Sequence, residues 1–113
     1  MKNIVKIFQA LSDETRLRIY SLLLHDELCV CEVEAILKIE QSRISHGLRI
    51  LKEAGLVVSY KVGKWNIYLK NEKMGNNKVI QALKDELKLS VRDMNNLKMC
   101  KTDNVRKKMK CIS

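Results

Sequence analysis

With 113 residues, 46% of them apolar and 31% charged, no proline and a net charge of +9, the chain has the size of one globular domain, which excludes a second large one. The 22 lysines and arginines against 13 acids create a positive field that favours polyanions through counterion release. No apolar run approaches the roughly 18 residues of a membrane span, and Lys6, Gln9, Asp13 and Glu14 break the N-terminal pattern a signal peptide needs, so a cytoplasmic protein with no membrane partner is expected.

Ile4, Val5, Phe8 and Leu11 recur at helical spacing and predict a first short helix. Ser12 or Asp13 then offers an N-cap for a second helix over about 13–24, with Leu17, Tyr20, Leu23 and Leu24 on one face. The polar break His25-Asp26-Glu27 ends it, and a third short helix follows over about 29–37. From Gln41 to Ala54 the spacing predicts an inward stripe of Ile44, Leu48 and Leu51, with Ser42, Ser45, His46 and Arg49 on the other side and Gly55 as the terminating residue. The segment VVSYKVGKWNIYLK, 57–70, reads as a β-hairpin around Gly63 with a basic tip at Lys61 and Lys64. After a loop over 71–77, a long helix is expected over 78–99, burying Ile80, Leu83, Leu87, Met94 and Leu97. Its apolar face is longer than so small a domain needs, which favours burial against a second copy in a homodimer. Residues 98–113 hold six bases and one acid and read as a solvated tail, so the expected organisation is a single domain over 1–97 followed by a basic, cysteine-containing tail over 98–113.

Two short helices joined by a tight Lys38 to Glu40 connection and followed by a basic hairpin fit a mostly α winged helix-turn-helix. In that arrangement the second helix of the pair enters the major groove of double-stranded DNA. Gln41, Ser42, Arg43, Ser45, His46 and Arg49 are suited to base edges and phosphates, and Lys61 and Lys64 to the backbone. Taken alone, such a polar stripe is as well explained as an ordinary solvated helix face. The absence of regular acid–base alternation and the adjoining basic hairpin favour DNA. Trp65 reads as a packing residue at the hairpin base, and the shortage of aromatic side chains argues against single-stranded RNA, which is bound by stacking.

Three stretches, ALSDETRLRIYSLL (10–23), ELCVCEVEAIL (27–37) and QSRISHGLRILKEAGLVVSYKVGKWNIYLK (41–70), together resemble the ArsR/SmtB family of metalloregulatory repressors. The resemblance implies a homodimer through the first and last helices that binds operator DNA when metal-free and releases it on binding metal. It also implies a recognition helix beginning at Gln41-Ser42; family members often have a histidine where this chain has Gly47. The zinc site that some members carry on the last helix requires histidine, and residues 78–99 contain none. ELCVCE resembles instead the thiolate motif of the arsenite- and cadmium/lead-responsive members, which puts Cys29 and Cys31 forward as ligands. Arsenite-responsive relatives often supply a third cysteine three residues beyond the pair, a position held here by Glu34.

Thiolates are soft donors; As(III) and Sb(III) prefer three sulfurs, and Cd(II), Pb(II) or zinc commonly take three or four ligands. Cys29 and Cys31 alone are too few, so Cys100 and Cys111 are the candidates to complete the site or to form a separate one. Buried cysteines also occur simply as small hydrophobes, but the ELCVCE context favours ligation for the pair. Residues i and i+2 point about 200° apart on a helix, so two sulfurs that share an ion there require the backbone to leave helical geometry. No DNA-binding cofactor is required; the inducer is the bound species. Rival readings are a cadmium/lead- or redox-responsive repressor and, from another class, a thiol-based metal carrier that ignores DNA. No triad, phosphate loop or carboxylate dyad appears, and the thioredoxin-like CxxC pattern is absent, so an enzyme is not expected.

Overall fold

The structure, a computed structural model, describes residues 2–103. In chain order it comprises α1 (Lys2–Leu11), α2 (Glu14–His25), β1 (Leu28–Cys29), α3 (Val30–Leu37), α4 (Gln41–Glu53), β2 (Val57–Val62), β3 (Trp65–Lys70), a 3-10 turn (Glu72–Asn76), α5 (Lys78–Leu83) and α6 (Val91–Asp103).

The corner between α1 and α2 is closed by side chains that answer helix-terminal backbone groups. The Asp13 carboxylate accepts from the Arg16 backbone N–H at 3.0 Å. The Arg16 guanidinium in turn donates to the Ala10 carbonyl at 2.7 Å and the Gln9 carbonyl at 3.1 Å, capping the end of α1. Along α1, Ile4, Val5 and Phe8 are 37%, 49% and 53% exposed, and the chain's own core takes Ile7, Ala10 and Leu11.

Helix α2 is central, touching α1, α3, α4 and β3, and so buries more than one stripe. Ile19 and Leu22 are completely enclosed beside the anticipated Tyr20 and Leu23, whereas Leu17 and Leu24 are half-buried. Against it lies α4, whose expected stripe of Ile44, Leu48 and Leu51 is fully buried. The two helices approach closely at Gly47, where an added Cβ would stand 2.9 Å from Ile19 Cδ1. The α3–α4 connection turns on Lys38 in the left-handed region at φ 60, its N–H donating to the Glu34 carbonyl. At the far end of α4, Gly55 (φ 79) donates to the Lys52 carbonyl and Leu56 to the Leu51 carbonyl, a Schellman termination that satisfies two terminal carbonyls.

The hairpin closes with Val62 opposite Trp65 across Gly63 and Lys64. A third strand, not anticipated, joins it: Leu28 pairs with Tyr68 and Cys29 with Ile67, giving an antiparallel sheet in the order β1-β3-β2.

The long helix expected over 78–99 is broken. Helix α5 is capped by Asn77, whose side chain accepts from the Val79 and Ile80 amides, and stops at Leu83. A new helix starts where the Ser90 hydroxyl accepts from the Asp93 N–H at 3.1 Å. The break lets α6 turn back onto α2 and α3. There Arg18 donates to both carboxylate oxygens of Asp93 (3.2 and 3.0 Å), the Asn96 amide donates to the Ile36 carbonyl at 2.9 Å, and Lys101 pairs with Asp26. Ile80, Leu87 and Leu97 are buried as expected; Leu83 and Met94 are half-buried. Helix α6 continues through residue 97 to Asp103. Among the described residues no helix is long and apolar enough to cross a membrane.

Candidate nucleic-acid interface and thiol site

The polar residues of α4 emerge on its outer face because the opposite face is consumed by packing on α2 and α3. Gln41, Ser42, Arg43, Ser45, His46 and Arg49 are all exposed, interleaved with buried Ile44, Gly47 and Leu48. Arg49 and His46 Nδ1 share a hydrogen bond at 2.8 Å, one turn apart, and Arg43 donates to the Thr15 hydroxyl at 3.2 Å, so the start of α2 helps to orient the α4 face. Lys61 and Lys64 are exposed beside the hairpin turn, and the Lys64 ammonium stands 5.5 Å from the centroid of the Trp65 ring. The Lys52 ammonium, bonded to the Ser59 hydroxyl at 2.8 Å, ties the end of α4 to the wing.

The cysteine pair straddles a change of backbone geometry. Cys29 ends β1 in an extended conformation (φ −89, ψ 169) and is also the N-cap of α3, while Cys31 lies in the first turn. The departure from helix that a shared ion requires is therefore already built in on the N-terminal side. The Cys29 N–H donates to the Glu32 carboxylate at 2.9 Å, the reciprocal half of a capping box, which explains a buried glutamate in an apolar turn. Both cysteines are buried and, with Ile67, form a small cluster of their own against which Trp65 packs. Neither Cys29 nor Cys100 takes part in a disulfide. Because Asn96 meets the end of α3 and Lys101 meets Asp26 just before its start, α6 runs antiparallel to α3. Buried Cys100 thus lies at the cysteine-bearing end of α3, although it packs in the main core and not in the cluster of the pair. Cys111 lies outside the described residues.

The donors suit a thiophilic ion by type, since sulfur is soft. Among the described residues no three His, Cys, Asp or Glu side chains are grouped to hold a metal ion. Sequence reasoning missed the strand pairing of Cys29 and the contact of Trp65 with the thiol cluster. The apolar, β-branched and aromatic content of the wing signals strands, but only the register brings that tryptophan to those cysteines.

A family model described as "Bacterial regulatory protein, arsR family" matches residues 13–59. The chain is 43% identical over 67 residues to a transcriptional repressor SmtB homologue of Synechocystis, covering 59% of this chain and 50% of that one. A cadmium resistance transcriptional regulatory protein CadC homologue of Staphylococcus aureus is 45% identical over 67 residues (58% of this chain, 55% of that one). The arsenical resistance operon repressor of Escherichia coli is 45% identical over 65 residues (57% and 56%). The matched stretch spans about half the length of these relatives. Among solved structures, the homodimeric winged helix-turn-helix DNA-binding domain Mb0332 of Mycobacterium bovis superposes with a TM-score of 0.65 at 25% identity, over 75% of this chain and 81% of that one.

Proposed function

The chain belongs to the ArsR family of bacterial regulatory proteins, and from that premise we propose that it is a transcriptional repressor that binds double-stranded operator DNA as a homodimer and leaves it when As(III) or Sb(III) engages its thiolates. The observation that carries the reading is the position of the thiol pair: Cys29 caps the first helix of the helix-turn-helix and Cys31 lies in its first turn.

In this reading Gln41, Ser42, Arg43, Ser45, His46 and Arg49 on the outer face of α4 meet base edges and phosphates in the major groove, and Lys61 and Lys64 on the wing add phosphate contacts. A thiophilic metalloid supplies empty soft acceptor orbitals for sulfur. Cys29 and Cys31 hold it, and Cys100, at the same end of α3, is the third thiol that the described residues offer; Cys111 is the alternative. Bringing Cys100 to the pair requires α6 to shift along α3, because its side chain is packed in the main core. Helix α3 packs directly on α4, so strain at its N-terminus reaches the DNA-reading helix through apolar contact. The second copy is expected on α1 and α6, where Val5, Phe8, Val91 and Met99 expose apolar surface.

The test is a titration of the reduced full chain on labelled operator DNA with arsenite, antimonite, cadmium, lead and zinc. Arsenite is expected to lower operator affinity about 10- to 100-fold in the native sequence and to leave Cys29→Ser and Cys31→Ser unaffected. Variants that still leave DNA normally would remove the pair as the sensor, and a chain that forms no salt-sensitive, sequence-preferring complex would be a metal carrier. Stronger release by cadmium or lead favours the cadmium/lead reading, which the CadC relative supports. A redox-responsive repressor would be marked by release on oxidation without any metal.

A further inference from the structure

The sole tryptophan of the chain sits between two features that the fold joins and the sequence keeps apart. On one side Trp65 packs against the cluster of Cys29, Cys31 and Ile67. On the other, the Lys64 ammonium lies over its ring at 5.5 Å. Its indole Nε1–H is buried with no hydrogen-bond partner. An N–H removed from water without an acceptor is costly, and such orphans call for a physical account. Strand register supplies one. Pairing of Leu28 with Tyr68 and Cys29 with Ile67 would, if continued, set Cys31 opposite Trp65; the chain instead turns into α3, leaving the tryptophan against its first turn. Of the side chains in that cluster, only the sulfurs of Cys29 and Cys31 can accept a hydrogen bond. A thiol or disulfide sulfur is a weak acceptor, whereas an anionic thiolate is a strong one.

We propose that Trp65 is a positioning residue that couples the thiol site to the wing: its indole N–H donates to the Cys31 sulfur once that sulfur is a ligating thiolate, and the resulting shift of the ring displaces Lys64 from its phosphate-facing position. The inducer signal then leaves the site by two routes, through α3 to α4 and through β3 to the wing. A second tie on the same sheet points the same way, since the Tyr60 hydroxyl on β2 donates to the Glu27 carboxylate just before β1. The proposal rests on the reading of Cys29 and Cys31 as inducer ligands.

The experiment uses the reduced full chain and lead(II) ions as probe, following the sulfur-to-lead charge-transfer absorption and, separately, operator affinity. Trp65→Phe keeps the ring and deletes the N–H. Expected are a charge-transfer band displaced to lower energy, because a hydrogen bond to sulfur stabilises its lone pairs, lead affinity reduced about five- to tenfold, and a smaller lead-induced loss of operator affinity. Metal-free operator affinity should stay within about twofold of the native chain, as expected if the ring and its cation–π contact with Lys64 are retained. A Trp65→Phe protein matching the native chain in band position, affinity and release, while Cys31→Ser loses the band, overturns the role of Trp65 and leaves the thiol site standing. Absence of any charge-transfer band in the native chain overturns both. As a check independent of substitution, native tryptophan emission should change at the same lead stoichiometry as the band; emission that stays constant through saturation overturns the proposal.

Discussion

Lys38 holds the left-handed conformation at φ 60 that ends α3 and starts the turn into α4. A residue with a Cβ pays roughly 1–2 kcal/mol there, and glycine escapes that strain but loses about 0.5–1 kcal/mol through its freer unfolded chain. Lys38→Gly is therefore expected to raise stability by about 0.5 kcal/mol, read as a higher urea midpoint at unchanged slope, with operator affinity retained. Gly55 carries its φ of 79 openly, because a glycine after a periodic apolar run signals a helix end. Lys38 carries no such signal: its side chain is ordinary for a solvated turn, and its φ follows from the packing of α3 against α4. Gly47 is the converse case. Its identity was legible, but its reason, the approach of Ile19 on another helix, was not.

At the scale of elements, the break between α5 and α6 decides where the C-terminal part of the chain goes. Periodicity alone carries one helix through residues 78–99, since the apolar spacing survives the interruption. The sequence does hold the competing signal: Ser90-Val91-Arg92-Asp93 places a capping serine three residues before an acid. What makes the break productive is distant, namely Arg18 on α2, which receives Asp93 in a bidentate pair with the carboxylate almost fully buried. Asp93→Ala is expected to cost about 1–3 kcal/mol in urea unfolding and to accelerate amide exchange along α6, with α4 protected as before. Equal protection of α6 in both proteins would show that the clasp does not hold the helix. The same clasp carries Cys100 to the cysteine-bearing end of α3.

For the whole molecule, the telling feature is apolar surface that the chain does not use. Ile4, Val5 and Phe8 leave apolar surface exposed along α1, while Ile7, Ala10 and Leu11 anchor the helix to the core. A helix apolar on both faces is stable in water when a second surface covers the outer one. Phe8→Glu is expected to shift the chain from dimer to monomer in sedimentation and to weaken operator binding at least tenfold, because a two-fold operator is read by two helices at once. Its helical circular dichroism should be retained. A dimer that persists undiminished in this variant would place the interface elsewhere.

Helix spacing, the caps at Asp13 and Gly55, the hairpin turn, the polar face of α4 and the sulfur chemistry of the Cys29/Cys31 pair were all determined by the sequence itself, because each depends on residue type and on neighbours within a turn or two. The tertiary structure alone decided that Cys29 pairs with Ile67, that Trp65 packs on the thiol cluster, that α6 folds back along α3 with Cys100 at the same end, and that Ile4, Val5 and Phe8 of α1 stay exposed. Those outcomes are settled by packing between segments far apart in the chain, where many partners share the same apolar character and only the shape of the assembled core chooses among them.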